Sequence, residues 1–263
     1  EMRTSLIIST YEKPAYLDLV LASIAWQIET PWEVIIADDG SSLETTNVIS
    51  RWRKCAIFKL IHMFQPDHGF RLSRSRNLSS IKATGDLLIF IDGDCLLPRD
   101  FLSEIKSLYS PRALIFGSRK LITEAETNDF LTGRLDQDEI QRFFSGRKFM
   151  KLNLGVFRWW PFRSWKNVRG FMMVAARHDV MALGGFDESF RSWGLEDSDF
   201  AIRASRFGLQ FLDSRYKTSL VHLHHSEPNR IQKSKNVGAF RSLLNDPNRF
   251  LPSITSIPEV VVS

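Results

Sequence analysis

Two apolar runs that stop abruptly at paired aspartates constrain this chain more than any other feature. Glu33–Ala37 (EVIIA) runs straight into Asp38, Asp39 and Gly40, and Leu87–Ile91 (LLIFI) runs into Asp92, Gly93 and Asp94. Short, continuous apolar runs of this kind are buried strands, and a parallel sheet covered by helices is the arrangement that buries both strand faces. The rest of the first 118 residues follows the same alternation. Ser5–Ser9 (SLIIS) is a strand, and Pro14 opens a helix through Gln27. The Asp-Gly-Ser-Ser turn caps a helix to Arg53, followed by a weaker strand over Phe58–Met63. A helix over Leu72–Ala83 is broken by Gly85, and a helix over Asp100–Leu108 precedes a strand over Ala113–Gly117. Alternating strands and helices predict an α/β fold with a Rossmann-like, mostly parallel central sheet flanked by helices.

From Arg119 to about Trp165 the pattern dissolves into a polar and basic stretch, then an aromatic one. Trp159, Trp160, Phe162 and Trp165 there alternate with Arg158, Arg163 and Lys166. A loop of that length in a compact domain is usually functional or mobile. Regular patterning returns with a strand over Phe171–Ala176, a short helix to Leu183, a turn at Gly184–Asp187, a helix over Asp197–Phe207 and a strand over Lys217–His222. The chain thus reads as one domain with an acceptor-side region, and a polar, Pro-punctuated tail follows Glu227.

Composition removes several classes. With 263 residues, 43% of them hydrophobic and 25% charged, disorder and disulfide-stapled miniproteins are excluded. Cys55 and Cys95 are too few for a disulfide framework. No apolar run approaches the roughly 18 residues a bilayer span needs, and the first residues do not resemble a signal peptide. The excess of 35 basic over 30 acidic residues fits an anionic partner of any kind and selects none.

The acids carry more information than the net charge. In parallel α/β sheets ligands bind beyond the carboxyl ends of the strands, so Asp38/Asp39 and Asp92/Asp94 are expected to converge on one rim. Carboxylates gathered there repel unless a cation or donor groups offset them. The Asp92-Gly93-Asp94 spacing flanks a backbone reversal and suits a hard divalent ion shared with diphosphate oxygens. His222, His224 and His225 are candidates for a third ligand. If the strand continues through them, His222 and His224 share a face and His225 opposes them; an ending strand breaks that rule. Trp193-Gly194 ahead of Glu196, Asp197 and Asp199 sets a flat apolar surface beside carboxylates, a combination suited to a sugar ring with one carboxylate as general base. Arg71, Arg74 and Arg76 at the start of the helix before Asp92 suit phosphate contacts. A nucleic-acid-binding reading of Arg158–Lys166 leaves the acids unexplained, since they repel a polyanion, so no nucleic-acid partner is expected. That segment better suits an acceptor or a peripheral contact with membrane headgroups.

In their order along residues 4–226, these motifs resemble the family 2 glycosyltransferases of the GT-A fold. The matching stretches are Leu6–Tyr11 (LIISTY), Val34–Ser42 (VIIADDGSS), Gly69–Asn77 (GFRLSRSRN), Gly85–Asp94 (GDLLIFIDGD), Gly184–Glu188 (GGFDE) and Trp193–Asp199 (WGLEDSD). They are most similar to the bacterial chondroitin-polymerase type and to β1,4-galactosyltransferases. The resemblance implies a GT-A domain over 1–226, with a nucleotide-binding half to about 118 and an acceptor-side half from about 119, and a tail over 227–263. It implies that Thr10 and Tyr11 border the nucleotide, that Asp38 or Asp39 meets the uracil edge, and that Arg76 lies near the nucleotide or diphosphate. Asp92, Gly93 and Asp94 match the DxD motif that meets ribose and Mn²⁺ (or Mg²⁺), with Asp94 the firmer ligand. His225, or else His222, closes the metal site. Asp197 matches the catalytic base, and Glu196 holds hydroxyls of donor or acceptor. Leu195 stands where many relatives carry glycine. The implied activity is inverting, metal-dependent transfer of GalNAc, GlcNAc, Gal or Glc from a UDP-sugar to a saccharide, free or lipid-linked, in bacterial surface polysaccharide synthesis. The expected location is cytoplasmic, at the inner face of the membrane. Nucleotidyl transfer on the same fold is the alternative, which would release pyrophosphate.

Overall fold

The computed structural model describes residues 2–136, 138, 139, 142, 165–215, 217–226 and 236–258. Its first part alternates β1 (Thr4–Thr10), α1 (Pro14–Ala25), β2 (Glu33–Asp38), α2 (Leu43–Cys55), β3 (Lys59–Phe64), α3 (Leu72–Lys82) and β4 (Leu87–Asp92). Then come β5 (Cys95–Leu96), α4 (Phe101–Leu108), β6 (Ala113–Phe116), β7 (Ser118–Leu121), α5 (Glu124–Leu131) and β8 (Met172–Ala176). The last elements are α6 (Arg177–Ala182), α7 (Glu196–Arg206), β9 (Gln210–Asp213), β10 (Ser219–His222) and α8 (Val237–Asn245).

Seven strands form one sheet in the order β3-β2-β1-β4-β8-β6-β9. All its pairings are parallel except the two made by β8, which runs antiparallel to both β4 and β6. The central strands are apolar at consecutive positions because helices cover both faces. Leu6, Ile8, Ile36, Ile89 and Ile91 pack toward α1 and α4. Ile7, Ile35, Leu88 and Phe90 pack on the other side, with Phe186 and Phe200. Ser9 lies opposite Asp92 and Thr10 opposite Asp38, so β1, β2 and β4 all deliver their last residues to one rim. A second, three-stranded sheet, β5-β10-β7, sets Cys95 directly across from His222.

β7, α5, β9 and α8 lie where no regular structure is expected from sequence. β7 and α5 occupy the start of the supposedly patternless stretch, and α5 begins with a capping box in which Thr123 and Glu126 satisfy each other's backbone donors. β9 follows α7 after a short turn, and α8 falls within the tail. The tail is fastened to the Gly184–Glu188 motif. Asp187 accepts from Ser253 N and Arg249 Nη2, both at 2.7 Å, and Glu188 Oε1 accepts from Ser256 N (2.7 Å) and Asn77 Nδ2 (2.8 Å). Gly185 is required here twice over. Its φ is +68°, and a Cβ would lie 2.3 Å from Asn77 Oδ1. The motif therefore works as a clasp for the tail. Most of the basic-aromatic stretch lies outside the described residues; its last aromatic, Trp165, packs edge-on against Phe240 of α8 at 6.0 Å. Among the described residues, no helix is long and apolar enough to cross a membrane.

Candidate active site

The Asp92–Asp94 turn is built by close backbone approach. Gly93 N donates to Ser9 O at 2.8 Å, and a Cβ on Gly93 would meet that oxygen at 2.6 Å, so only glycine allows β1 and β4 to end this tightly. The two aspartates then separate. Asp92 accepts from Arg76 Nη2 at 2.9 Å. Burial pushes its carboxyl up to about 6; Asp94 pushes the same way, and Arg76 opposes both.

Arg76 has no exposed surface to offer a phosphate, and its influence on the site runs through Asp92. Its Nε donates to Ser9 Oγ (3.1 Å) and its Nη2 also reaches Gly170 O (2.9 Å). Gly170 N in turn donates to Asp197 Oδ2 at 2.9 Å. One buried guanidinium and one glycine peptide thus tie the end of β4 to the start of α7.

Among the described residues, Asp94 is the meeting point of four side chains. His225 Nε2 lies 3.0 Å from its Oδ2 and His222 Nε2 lies 3.4 Å from its Oδ1. Lys13 Nζ approaches Oδ2 at 3.1 Å, and Cys95 Sγ approaches Oδ1 at 3.6 Å. Burial works against its charge, but the bond to His225 and the proximity of His222 and Lys13 outweigh it and hold the carboxyl well below the usual range. His225 Nδ1 sits 2.9 Å from Ser226 O. A carbonyl only accepts, so Nδ1 carries the hydrogen, and the Nε2 of a neutral ring aims a lone pair at a carboxylate. That encounter is favourable only with a proton or a cation between them. Consistent with the first, the bond to Asp94 raises the pKa of His225. Burial lowers His222 to about 4, leaving it neutral and able to ligate. Asp94, Cys95 and His222 offer ligand atoms within 4.8 Å of one another, and His225 reaches the other oxygen of Asp94. A carboxylate with imidazole nitrogens suits a divalent ion of the manganese class, and the Ser226 carbonyl orients the His225 ring as metal-bound histidines need.

β10 ends at His222, and this decides which histidines converge. His222 and His225 face Asp94, whereas strand alternation would pair His222 with His224. His224 uses its backbone instead, accepting from Tyr16 and donating to Thr127 Oγ1.

The nucleotide-side residues line the same rim. Thr10 is buried with no partner for Oγ1 among the described residues, and Tyr11 is half exposed, its hydroxyl donating to Asp67. Asp38 is fully buried and committed to His62 Nε2 (2.7 Å) and Ser41 N (2.9 Å). Asp39 accepts from Gln65 Nε2 (2.5 Å) and Arg71 N (2.7 Å), yet burial still pushes its carboxyl up. Arg71 and Arg74 serve this wall, reaching Pro66 O and Gln65 Oε1.

Across the rim, α7 opens with Glu196 and Asp197. Asp197 Oδ1 accepts from Ser198 N (2.7 Å), so both its oxygens are oriented by backbone donors. Glu196 is buried with Oε2 unpartnered among the described residues; burial first, and the charge of Asp197 second, push it up to about 7. The preceding turn needs left-handed backbone at Gly194 (φ +93°) and Leu195 (φ +78°), the latter being the position where glycine is the usual choice. Asn236 pins that turn by donating to Ser192 O and Gly194 O, leaving Trp193 partly exposed beside the acids. Asp199, by contrast, is committed to the buried Arg203 at 2.8 Å.

Lys13, Ser9, Gly170 and Asn236 were not singled out by sequence reasoning. Lys13 carried a signal, standing two residues past Tyr11 on the rim where β1 ends. Gly170 and Asn236 act through contacts distant in sequence and carried none.

A mostly parallel sheet with an acidic turn and an acidic helix start on one rim fits the GT-A class of fold. A solved GalNAc-T7 in complex with UDP, GalNAc and Mn²⁺ superposes with a TM-score of 0.66 at 15% identity, covering 92% of this chain and 48% of that one. The mannosyltransferase PcManGT from Pyrobaculum calidifontis, solved with GDP-Man and Mn²⁺, gives 0.62 at 18% identity over 94% of this chain and 65% of that one. Residues 5–167 match glycosyl transferase family 2, and residues 154–226 match the N-terminal domain of galactosyltransferase. The chain belongs to glycosyl transferase family 2. It is 28% identical over 246 residues to hyaluronan synthase of Pasteurella multocida, covering 85% of this chain and 24% of the relative. It is 26% identical over 239 residues to chondroitin synthase of Escherichia coli, covering 79% and 33% respectively. The chain therefore spans a quarter to a third of the length of these two relatives.

Proposed function

We propose that this chain is an inverting, metal-dependent glycosyltransferase that moves GalNAc, GlcNAc, Gal or Glc from a UDP-sugar to a saccharide hydroxyl. The observation that carries the reading is the convergence of Asp94, His222 and His225 on the rim that also presents Asp197. Asp94, His225 and His222 would hold a divalent cation, which when bound offsets charge on the departing diphosphate. Thr10, Tyr11 and the Asp38/Asp39 wall receive the nucleoside, with Asp39 the better placed of the two acids to meet uracil.

Asp197 takes the proton of the acceptor hydroxyl as that oxygen bonds to the anomeric carbon. The bond from that carbon to the diphosphate oxygen breaks on the opposite side, and its electron pair leaves with UDP. A single displacement inverts the configuration. Gly170 N keeps Asp197 aimed during proton transfer. Glu196, with one oxygen free, holds a sugar hydroxyl, and Trp193 stacks on the ring. Residues 1–118 thus serve the nucleotide and 119–226 the acceptor.

The names of the hyaluronan and chondroitin synthases support a further step: a saccharide acceptor, free or lipid-linked, in the assembly of a bacterial surface polysaccharide at the cytoplasmic face of the membrane.

Asp94→Ala tests the metal assignment. It is expected to remove the Mn²⁺-dependent part of UDP affinity, a loss of about tenfold or more, as second-layer losses alone cost 10- to 100-fold in metal affinity. Equal Mn²⁺-dependent affinity in variant and wild type would sink the assignment.

A further inference from the structure

Among the described residues, Lys13 is the one cation in direct contact with Asp94 that is neither a metal-ligand candidate nor a sequence-predicted site residue. It stands immediately before Pro14, the first residue of α1. Its ammonium lies 3.1 Å from Asp94 Oδ2, the oxygen that His225 approaches at 3.0 Å. The side chain is 35% exposed and passes 5.4 Å from the ring of Tyr16, so its head can leave without unpacking the core.

The contact has a consequence for any cation at this turn. Oδ2 is the more open oxygen of Asp94, since Oδ1 faces the buried pair Cys95 and His222. An ammonium and a divalent ion cannot both sit against one carboxylate oxygen without strong mutual repulsion. A metal bound at Asp94 therefore has to displace Lys13. Once displaced, the lysine lies on a flexible four-carbon stem beside a site that now attracts anions, and a diphosphate on the metal is its nearest partner.

Resting on the glycosyltransferase reading above, we infer that Lys13 is a built-in counter-charge that makes metal binding at Asp94 conditional on the nucleoside diphosphate. With the site free it neutralises Asp94 and opposes a bare cation. With the diphosphate present it moves to phosphate oxygens, so the same charge favours the metal–nucleotide pair. Because coupling between two ligands is reciprocal, Lys13 then strengthens each ligand's effect on the other.

The test is Mn²⁺ binding followed by loss of the free-ion electron paramagnetic resonance signal, with and without UDP, on wild type, Lys13→Met and Lys13→Arg. Lys13→Met is expected to bind Mn²⁺ alone more tightly than wild type, and the factor by which UDP improves Mn²⁺ affinity is expected to fall by about fivefold or more, within the usual span of coupling between sites. Lys13→Arg keeps the charge and is expected to keep the coupling. Unchanged coupling in Lys13→Met, or weaker binding of Mn²⁺ alone, would overturn the role of Lys13 while leaving the parent reading intact. A wild type that binds neither Mn²⁺ nor UDP overturns both.

Discussion

Asp197→Asn is expected to lower the rate of sugar transfer by about 10³-fold, within the 10²–10⁴ that positioned proton transfer contributes, while Mn²⁺-dependent UDP binding stays within about twofold of wild type. The substitution is nearly isosteric. The amide oxygen still accepts from Gly170 N, so the tie through Gly170 to Arg76 and Asp92 survives. What is lost is the negative charge, the basicity and the acceptor for Ser198 N, since an amide has a single oxygen. The stability cost is small, because Asp197 is itself only half-buried and a carboxylate in the first turn of a helix is worth about 0.3–1 kcal/mol through the macrodipole. Transfer kinetics and UDP titration on the same preparation separate the two effects. Equal loss of transfer and UDP binding would move Asp197 from catalysis to architecture, and undiminished transfer would remove it from the reaction.

Arg76→Met is expected to act in the opposite way, chiefly on stability. The guanidinium is fully buried and holds Asp92, the Ser9 hydroxyl and the Gly170 carbonyl. Removing one partner of a buried ion pair typically costs 3–5 kcal/mol, and because Asp92 retains partial solvent access the expected loss is near the lower end, about 3 kcal/mol. In a chain of this size that lowers the melting temperature by about 6–10 °C. The loss should depend on pH. Asp92 is already raised to about 6 mainly by burial, and without Arg76 it rises further. A carboxyl whose folded pKa exceeds its unfolded one loses stability as pH rises through that interval, so the gap between variant and wild type narrows from pH 8 toward pH 5. Thermal melts across that range check both magnitude and sign, and a variant within about 1 kcal/mol of wild type at pH 8 would show that Asp92 does not need Arg76.

The central sheet was readable in the sequence because β1, β2 and β4 are continuous apolar runs, and because acids cannot sit inside such runs without ending them. What escaped was short or polar. β7 and β9 have four residues each, too few for a periodicity to declare itself. The antiparallel direction of β8 leaves no trace in composition. α5 did carry a signature in Thr123-x-x-Glu126, but only Thr127 and Phe130 of the helix are buried, so no apolar stripe drew attention to it.

α3 shows the same limit within the site. Its buried residues are Ser73, Ser75, Arg76, Asn77, Ser79 and Ser80, a polar face on which Arg76, Asn77 and Ser80 are hydrogen-bonded while the hydroxyls of Ser73, Ser75 and Ser79 have no partner among the described residues. Read by hydropathy, such a helix presents its arginines to solvent or phosphate; in the fold, Arg76 turns inward to the aspartate sixteen positions later. The histidines illustrate the converse. Their crowding marked a site, but the choice among them depended on where β10 ends, and strand ends are set by the partners β5 and β7 rather than by local pattern.

Metal-dependent nucleotide binding at the Asp94 turn is the central claim, and calorimetric titration of UDP with and without Mn²⁺, set beside other nucleoside diphosphates, tests it most directly. Tight binding that requires Mn²⁺ and prefers uracil is the predicted result. Absence of nucleotide binding under either condition, or binding indifferent to both the metal and the base, would contradict it.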